Sequence, residues 1–141
     1  MSETEIVVRY AETDQMKIVH HSVYAIWFEA ARTDYMEKAG YPYARMEEEG
    51  LMLPLSKLEC KFISGARYGD TVVIKTFMKK ITPVRLEIHY SAYRKKDSAL
   101  LAEGITVHAW TDSSLKIINL KKKSPALYSL LEKEAGSDAG A

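Results

Sequence analysis

Three features of the chain predict an α+β domain, an antiparallel sheet of about five strands wrapped around one long central helix. Val23, Ile26, Trp27, Ala30 and Ala31 recur at the spacing of one helical face. From residue 84 the period falls to two: Val84, Leu86, Ile88, Tyr90 and Ala92 share one face, and Arg85, Glu87, His89, Ser91 and Tyr93 share the other. Turn residues (SGARYGD at 64–70, Thr82-Pro83, KKDS at 95–98) separate the later segments at hairpin spacing.

The first element is a β-branched strand over Ile6–Tyr10, followed by a polar loop over 11–21. The helix runs over about residues 22–39, with Ser22 as its N-cap and Gly40 and Pro42 stopping it. Residues 43–49 form a second, short helix closed by Gly50, and 51–63 are strand-rich, with Pro54 marking an edge or bulge. Strands follow over 71–81 and 84–94. In the next one, Leu101, Ile105, Val107 and Ala109 mark the inward face, and a last short strand occupies 115–120. Ser124-Pro125 starts a terminal helix ending near Lys133. Residues 1–134 are thus a single domain, and 135–141, ending in GSDAGA, are a disordered tail.

Composition narrows the function classes. With 20 basic and 19 acidic residues the net charge is +1, so no global field attracts nucleic acid or an anionic membrane. No apolar run approaches the ~18 residues of a membrane span, and no basic-then-apolar leader opens the chain. The single cysteine, Cys60, cannot form an internal disulfide and reads as a small buried hydrophobe, so the expected location is cytoplasmic. Long strands with open edges predict pairing with a second copy.

Chemistry concentrates where the polar loop meets the helix. Residues 10–32, YAETDQMKIVHHSVYAIWFEAAR, place Glu12, Asp14, His20 and His21 just ahead of a helix N-terminus. There the unpaired N–H groups and the partial positive charge favour a developing oxyanion, and a nearby carboxylate supplies a base or nucleophile. Read from the residues alone, Asp14 is equally a turn-forming side chain or a helix-terminal charge. Adjacent histidines diverge on any regular backbone, and no further ligand spacing accompanies them, so no metal or other cofactor is expected. G-x-S-x-G is absent, which removes the serine-hydrolase reading.

The run E-T-D-Q-M-K-I-V-H-H-S-V-Y from Glu12 to Tyr24, followed by Phe28-Glu29-Ala30-Ala31-Arg32, resembles the hotdog-fold acyl-CoA thioesterases. Within them it is most similar to the 4-hydroxybenzoyl-CoA thioesterase family with its Tol-Pal-associated relatives. GARYGD at 65–70 and LLAEG at 100–104 extend the likeness over about residues 5–120. The resemblance implies a hotdog fold and hydrolysis of an acyl-CoA to free acid and CoA by a homodimer or homotetramer. It casts Asp14 as the catalytic carboxylate, His21 as the histidine at the helix start with its backbone N–H as oxyanion donor, and Tyr24 as a wall of the acyl pocket. His20 becomes a pocket or loop-packing residue, and Glu29 a carboxylate buried against the loop or an ion-pair partner of Arg32. Arg67 is one of several basic candidates for the phosphates of CoA. Two positions depart from the family pattern: Glu12 stands for an aspartate and Lys17 for a glycine, the second bearing on the loop's conformation. The rival reading is a non-enzymatic hotdog module that binds acyl-CoA or acyl carrier protein, which would keep the pocket without needing Asp14.

Overall fold

A computed structural model describes residues 1–140; Ala141, the last residue of the expected tail, lies outside them. Five antiparallel strands, β1 (Ser2–Val7), β2 (Leu55–Phe62), β3 (Thr71–Ile81), β4 (Arg85–Arg94) and β5 (Leu100–Ala109), form one sheet in the order β1-β3-β4-β5-β2. Helix α1 (Val23–Lys38) lies against β1 and β3, and the short α2 (Tyr43–Glu48) follows it. Alternation places Val72, Ile74 and Met78 of β3 with Leu86, Ile88, Tyr90 and Ala92 of β4 on the inner face, beneath Trp27, Phe28, Ala31 and Tyr35 of α1. Phe28 stacks on Tyr90 at 4.5 Å between ring centroids.

One helix does not cover this sheet. A second long helix, α4 (Pro125–Asp138), packs on β3 through Leu127, Tyr128 and Leu131 after a single-turn α3 (Leu120–Lys123). The strand expected over 115–120 is reduced to a bridge between Thr111 and Ile117. There the chain turns into α3 instead, capped by Asn119, whose side-chain oxygen accepts from the Lys122 N–H at 3.1 Å. Nor is 135–138 a disordered tail. Asp138 is buried and accepts from the Tyr35 hydroxyl and the Met78 N–H, both at 2.7 Å, and it pairs with the Met1 ammonium. That anchor carries α4 past Lys133. The first strand also begins earlier than its β-branched residues suggest, and Tyr10–Glu12 form a 3-10 turn.

The inward face of β5 is the opposite of the one its apolar residues mark. Ala102, Gly104, Thr106 and His108 are buried, whereas Ile105, Val107 and Ala109 are half-buried on the outer face. A register irregularity opposite Ala92 and Tyr93 lets Leu101 and Ala102 both turn inward. Gly104 is required by Phe28, whose ring would lie 2.3 Å from an added Cβ. The two polar residues are satisfied in a chain of hydrogen bonds. Tyr90 Oη lies 2.7 Å from Thr106 Oγ1, Thr106 Oγ1 lies 2.9 Å from His108 Nε2, and His108 Nδ1 lies 3.1 Å from the Leu53 carbonyl. A carbonyl only accepts, so Nδ1 carries the proton and Nε2 accepts from Thr106.

Strand β2 closes one edge of the sheet and is largely uncovered. Its Leu58 and Phe62 are exposed, Cys60 is half-buried, and Ile26 of α1 and Ile63 are exposed as well.

Candidate active site

The loop ahead of α1 is a tight reversal. Thr13 bridges Val19, the Asp14 N–H donates to the Ile18 carbonyl at 3.0 Å, and the Lys17 N–H donates to the Asp14 carbonyl at 2.9 Å. Lys17 takes φ 64°, the left-handed region a glycine would occupy without strain, so the lysine holds this turn at a backbone cost. Asp14 Oδ1 accepts from the Met16 N–H at 2.8 Å. The second oxygen has no donor among the described residues, so the turn that orients this carboxylate leaves half of it free.

Glu12 anchors the loop from below. It is only 7 % exposed. Its carboxylate accepts from the Arg9 N–H at 2.8 Å and the Trp27 indole N–H at 2.9 Å. Burial raises its pKa, and these hydrogen bonds outweigh that effect and hold it below the ordinary carboxylate value. The buried, loop-bonded carboxylate of the motif is therefore Glu12. Glu29, open to that part or to an ion pair with Arg32, takes the second: its side chain is 70 % exposed and lies 3.9 Å from Arg32.

A second loop backs the first. Val19 N–H donates to the Ala66 carbonyl at 2.9 Å, and Gly65 leaves room for Ile18, which would lie 2.7 Å from a Cβ at that position. Arg94 holds this wall from behind. It donates to the Gly65 carbonyl at 2.9 Å and forms ion pairs with Asp70 at 3.3 Å and Asp97 at 2.9 Å. Sequence reading passed over Arg94, because an arginine at a strand end carries no signal of what its side chain reaches.

Between the loops and the start of α1 lies a cleft of about 320 Å³, lined by Asp14, Met16, Ile18, His21, Tyr24 and Phe62 among others. Tyr24 and Phe62 meet edge to face at 5.5 Å. Burial pushes the Tyr24 hydroxyl pKa up, so it stays neutral. The His21 backbone N–H donates to no protein acceptor among the described residues, whereas those of His20, Ser22 and Val23 are bonded to the Glu12 carbonyl, His20 Nδ1 and the His20 carbonyl. Two larger depressions, of about 460 and 580 Å³, lie elsewhere and away from any helix start, lined mainly by strand residues such as Glu59, His89 and Glu103 or Lys57, Lys80 and Arg85.

Of the expected site residues, Asp14, His21 and Tyr24 share the cleft. His20 stacks on His21 at 4.0 Å outside it, its Nδ1 accepting from the Ser22 N–H at 3.2 Å. Glu29 faces a separate cleft of about 200 Å³ with Arg32 and Tyr43. Arg67 stands on the exposed rim of the second loop. No three His, Cys, Asp or Glu side chains among the described residues converge in a way that could hold a metal ion. No helix among them is long and apolar enough to cross a membrane.

The combination of a half-free carboxylate, an unpaired N–H and apolar walls is suited to attack on an acyl carbonyl. Comparisons with known proteins identify the family. Residues 8–132 match the family model described as the Thioesterase-like superfamily. Bacillus subtilis YneP, described provisionally as an acyl-CoA thioesterase, is 32 % identical over 134 residues, covering 94 % of this chain and 96 % of its own. A crystal structure of DHNA-CoA thioesterase from Staphylococcus aureus superposes with a TM-score of 0.92 at 34 % identity, covering 99 % of this chain and 95 % of that one. The hypothetical protein TT1821 from Thermus thermophilus gives a TM-score of 0.88 at 39 % identity, covering 95 % and 99 %. On sequence, architecture and coverage alike, the chain belongs to the Thioesterase-like superfamily and is a thioester hydrolase of the hotdog fold.

Proposed function

We propose that the protein hydrolyses an acyl-CoA thioester to the free acid and CoA, with Asp14 as base or nucleophile and the His21 backbone N–H as oxyanion donor. The observation that carries this reading is that His21, whose backbone N–H has no protein acceptor among the described residues, lines the same cleft as the half-free Asp14 carboxylate. The thioester carbonyl lies at the start of α1, where the N–H and the helix dipole stabilise the charge that develops on oxygen. Asp14 either attacks the carbonyl carbon directly, expelling CoA as the thiolate and leaving an acyl-aspartyl anhydride that water then hydrolyses, or takes a proton from a water whose attack expels the thiolate. Tyr24 and Phe62 flank the acyl group. The Staphylococcus aureus relative, named for DHNA-CoA, points to an aromatic-acyl branch other than the 4-hydroxybenzoyl-CoA one.

A homodimer or homotetramer completes the site in this reading. Phe62 is at once a wall of the cleft and part of the uncovered edge strand, whose apolar inner side (Leu58, Cys60, Phe62) a second copy would cover. Light scattering at micromolar concentration that shows only a 16.0 kDa species overturns the assembly.

The catalytic assignment is tested by thiol release from a panel of aliphatic and aromatic acyl-CoA thioesters. Asp14→Asn keeps the side chain's size but removes its charge, and turnover falls by ~10² or more. Equal turnover in parent and variant removes Asp14 from the mechanism. A parent that binds acyl-CoA and cleaves none identifies a binding module.

A further inference from the structure

We propose that the paired Arg–Tyr segments Arg9-Tyr10 and Arg67-Tyr68 form a platform for the adenine nucleotide end of CoA, beside the cleft that holds the thioester. This rests on the acyl-CoA reading above. The two dipeptides come from the two loops that frame the cleft. Those loops are laced together by backbone hydrogen bonds from Val8 N to the Asp70 carbonyl at 2.9 Å, from Gly69 N to the Val8 carbonyl at 3.1 Å, and from Val19 N to the Ala66 carbonyl at 2.9 Å. The lacing brings the Tyr10 and Tyr68 rings to 5.7 Å, edge to face at 88°. They are 76 % and 66 % exposed, the two most exposed aromatic side chains on the molecule's described surface. An edge-to-face pair leaves the face of one ring open, and a purine stacks on such a face irrespective of its sequence context.

Charge on this ledge has the sign a nucleotide needs. Arg67 is exposed and has no ion-pair partner among the described residues, and Arg9 is exposed and pairs with Glu12 at 3.5 Å. The acidic residues of the two loops are occupied: Glu12 by Trp27 and the Arg9 N–H, Asp70 by Arg94 and the Arg67 N–H. Asp14 sits in the cleft itself. An arginine without an ion-pair partner, Arg67, thus stands beside open aromatic faces, and arginine suits phosphate through paired N–H donors. The ledge is continuous with the site, since Gly65 lines the cleft and Arg67 and Tyr68 follow it by two and three residues.

The test compares an acyl-CoA with the same acyl group on pantetheine, which lacks the nucleotide. The parent has a kcat/KM ratio, CoA over pantetheine, well above one. In Tyr68→Ala and Arg67→Met this ratio falls about fivefold or more, through KM. Arg45→Ala, at another exposed arginine packed on a tyrosine (Tyr41), keeps the parental ratio. Calorimetry with adenosine 3′,5′-bisphosphate provides a readout free of catalysis: it binds the parent, binds Tyr68→Ala at least fivefold more weakly, and loses affinity as salt rises. A parental ratio near one, or variants that leave the ratio and the bisphosphate affinity unchanged, overturns the platform. So does a parent that prefers an acyl-carrier-protein substrate and does not bind the bisphosphate. If the parent cleaves neither thioester, the hydrolytic reading fails by itself, and the bisphosphate binding still decides the platform.

Discussion

Acidification from pH 7.5 to 5 should destabilise the fold through one residue, His108. Burial pushes its imidazole pKa down from 6.5 to about 4, and its two nitrogens are committed to Leu53 and Thr106. A proton added at Nε2 would face the Thr106 hydroxyl, already placed to donate. The sign follows from proton counts. Below pH 6.5 the unfolded chain binds a proton that the folded one refuses, so stability is lost as pH falls and the loss levels off below about 4. At pH 5 the unfolded imidazole is almost fully protonated and the folded one only about a tenth protonated, which amounts to about 2 kcal/mol relative to pH 7.5. The lowered carboxylates Glu12 and Asp34 act below their ordinary values and contribute little in this window. Urea unfolding at both pH values, at fixed protein concentration, measures the difference in the parent and in His108→Gln. The variant, less stable throughout, should lose about 2 kcal/mol less than the parent over the same interval. Parallel pH profiles for the two proteins would refute the assignment.

Two substitutions probe the backbone. Lys17→Gly relieves a left-handed lysine and should raise stability by about 0.5–1 kcal/mol in thermal or urea unfolding, with thioester turnover retained. Gly104→Ala drives a methyl into Phe28 and should cost about 1–3 kcal/mol, visible as a lower denaturation midpoint. Arg94→Met releases the Gly65 carbonyl, and a loss of turnover that Arg94→Lys partly restores would mark Arg94 as holding the cleft wall.

The helix and its approach were the readable part of this chain. Apolar spacing from Val23 to Ala31 located α1 to within a residue at each end, and the Asp14–Tyr24 spacing brought three expected residues to one cleft. The expected face of β5 was wrong for a physical reason. Its inner positions hold a glycine shaped by Phe28 and two polar residues satisfied by Tyr90 and Leu53, none of which can be seen in β5 alone. Asp138 was likewise hidden. Within GSDAGA it looks like a tail residue, and only Tyr35 and Met78, far off in sequence, make it an anchor. Of the two parts open to Glu29, its apolar flanks suggest burial but it takes the ion pair with Arg32, and the indole that fixes the buried carboxylate, Glu12, lies fifteen residues away on the helix.

That indole makes the loop optically addressable. Trp27 is hydrogen-bonded to Glu12, which carries the turn holding Asp14, while Trp110 is fully buried with no partner for its own N–H among the described residues. The two tryptophans therefore report on different events. Release of the loop exposes Trp27 to water and shifts its emission to the red, and Trp110 keeps a blue emission until the sheet itself opens. In a Trp110→Phe protein a red shift at denaturant concentrations below the main transition would separate undocking of the loop from unfolding of the domain.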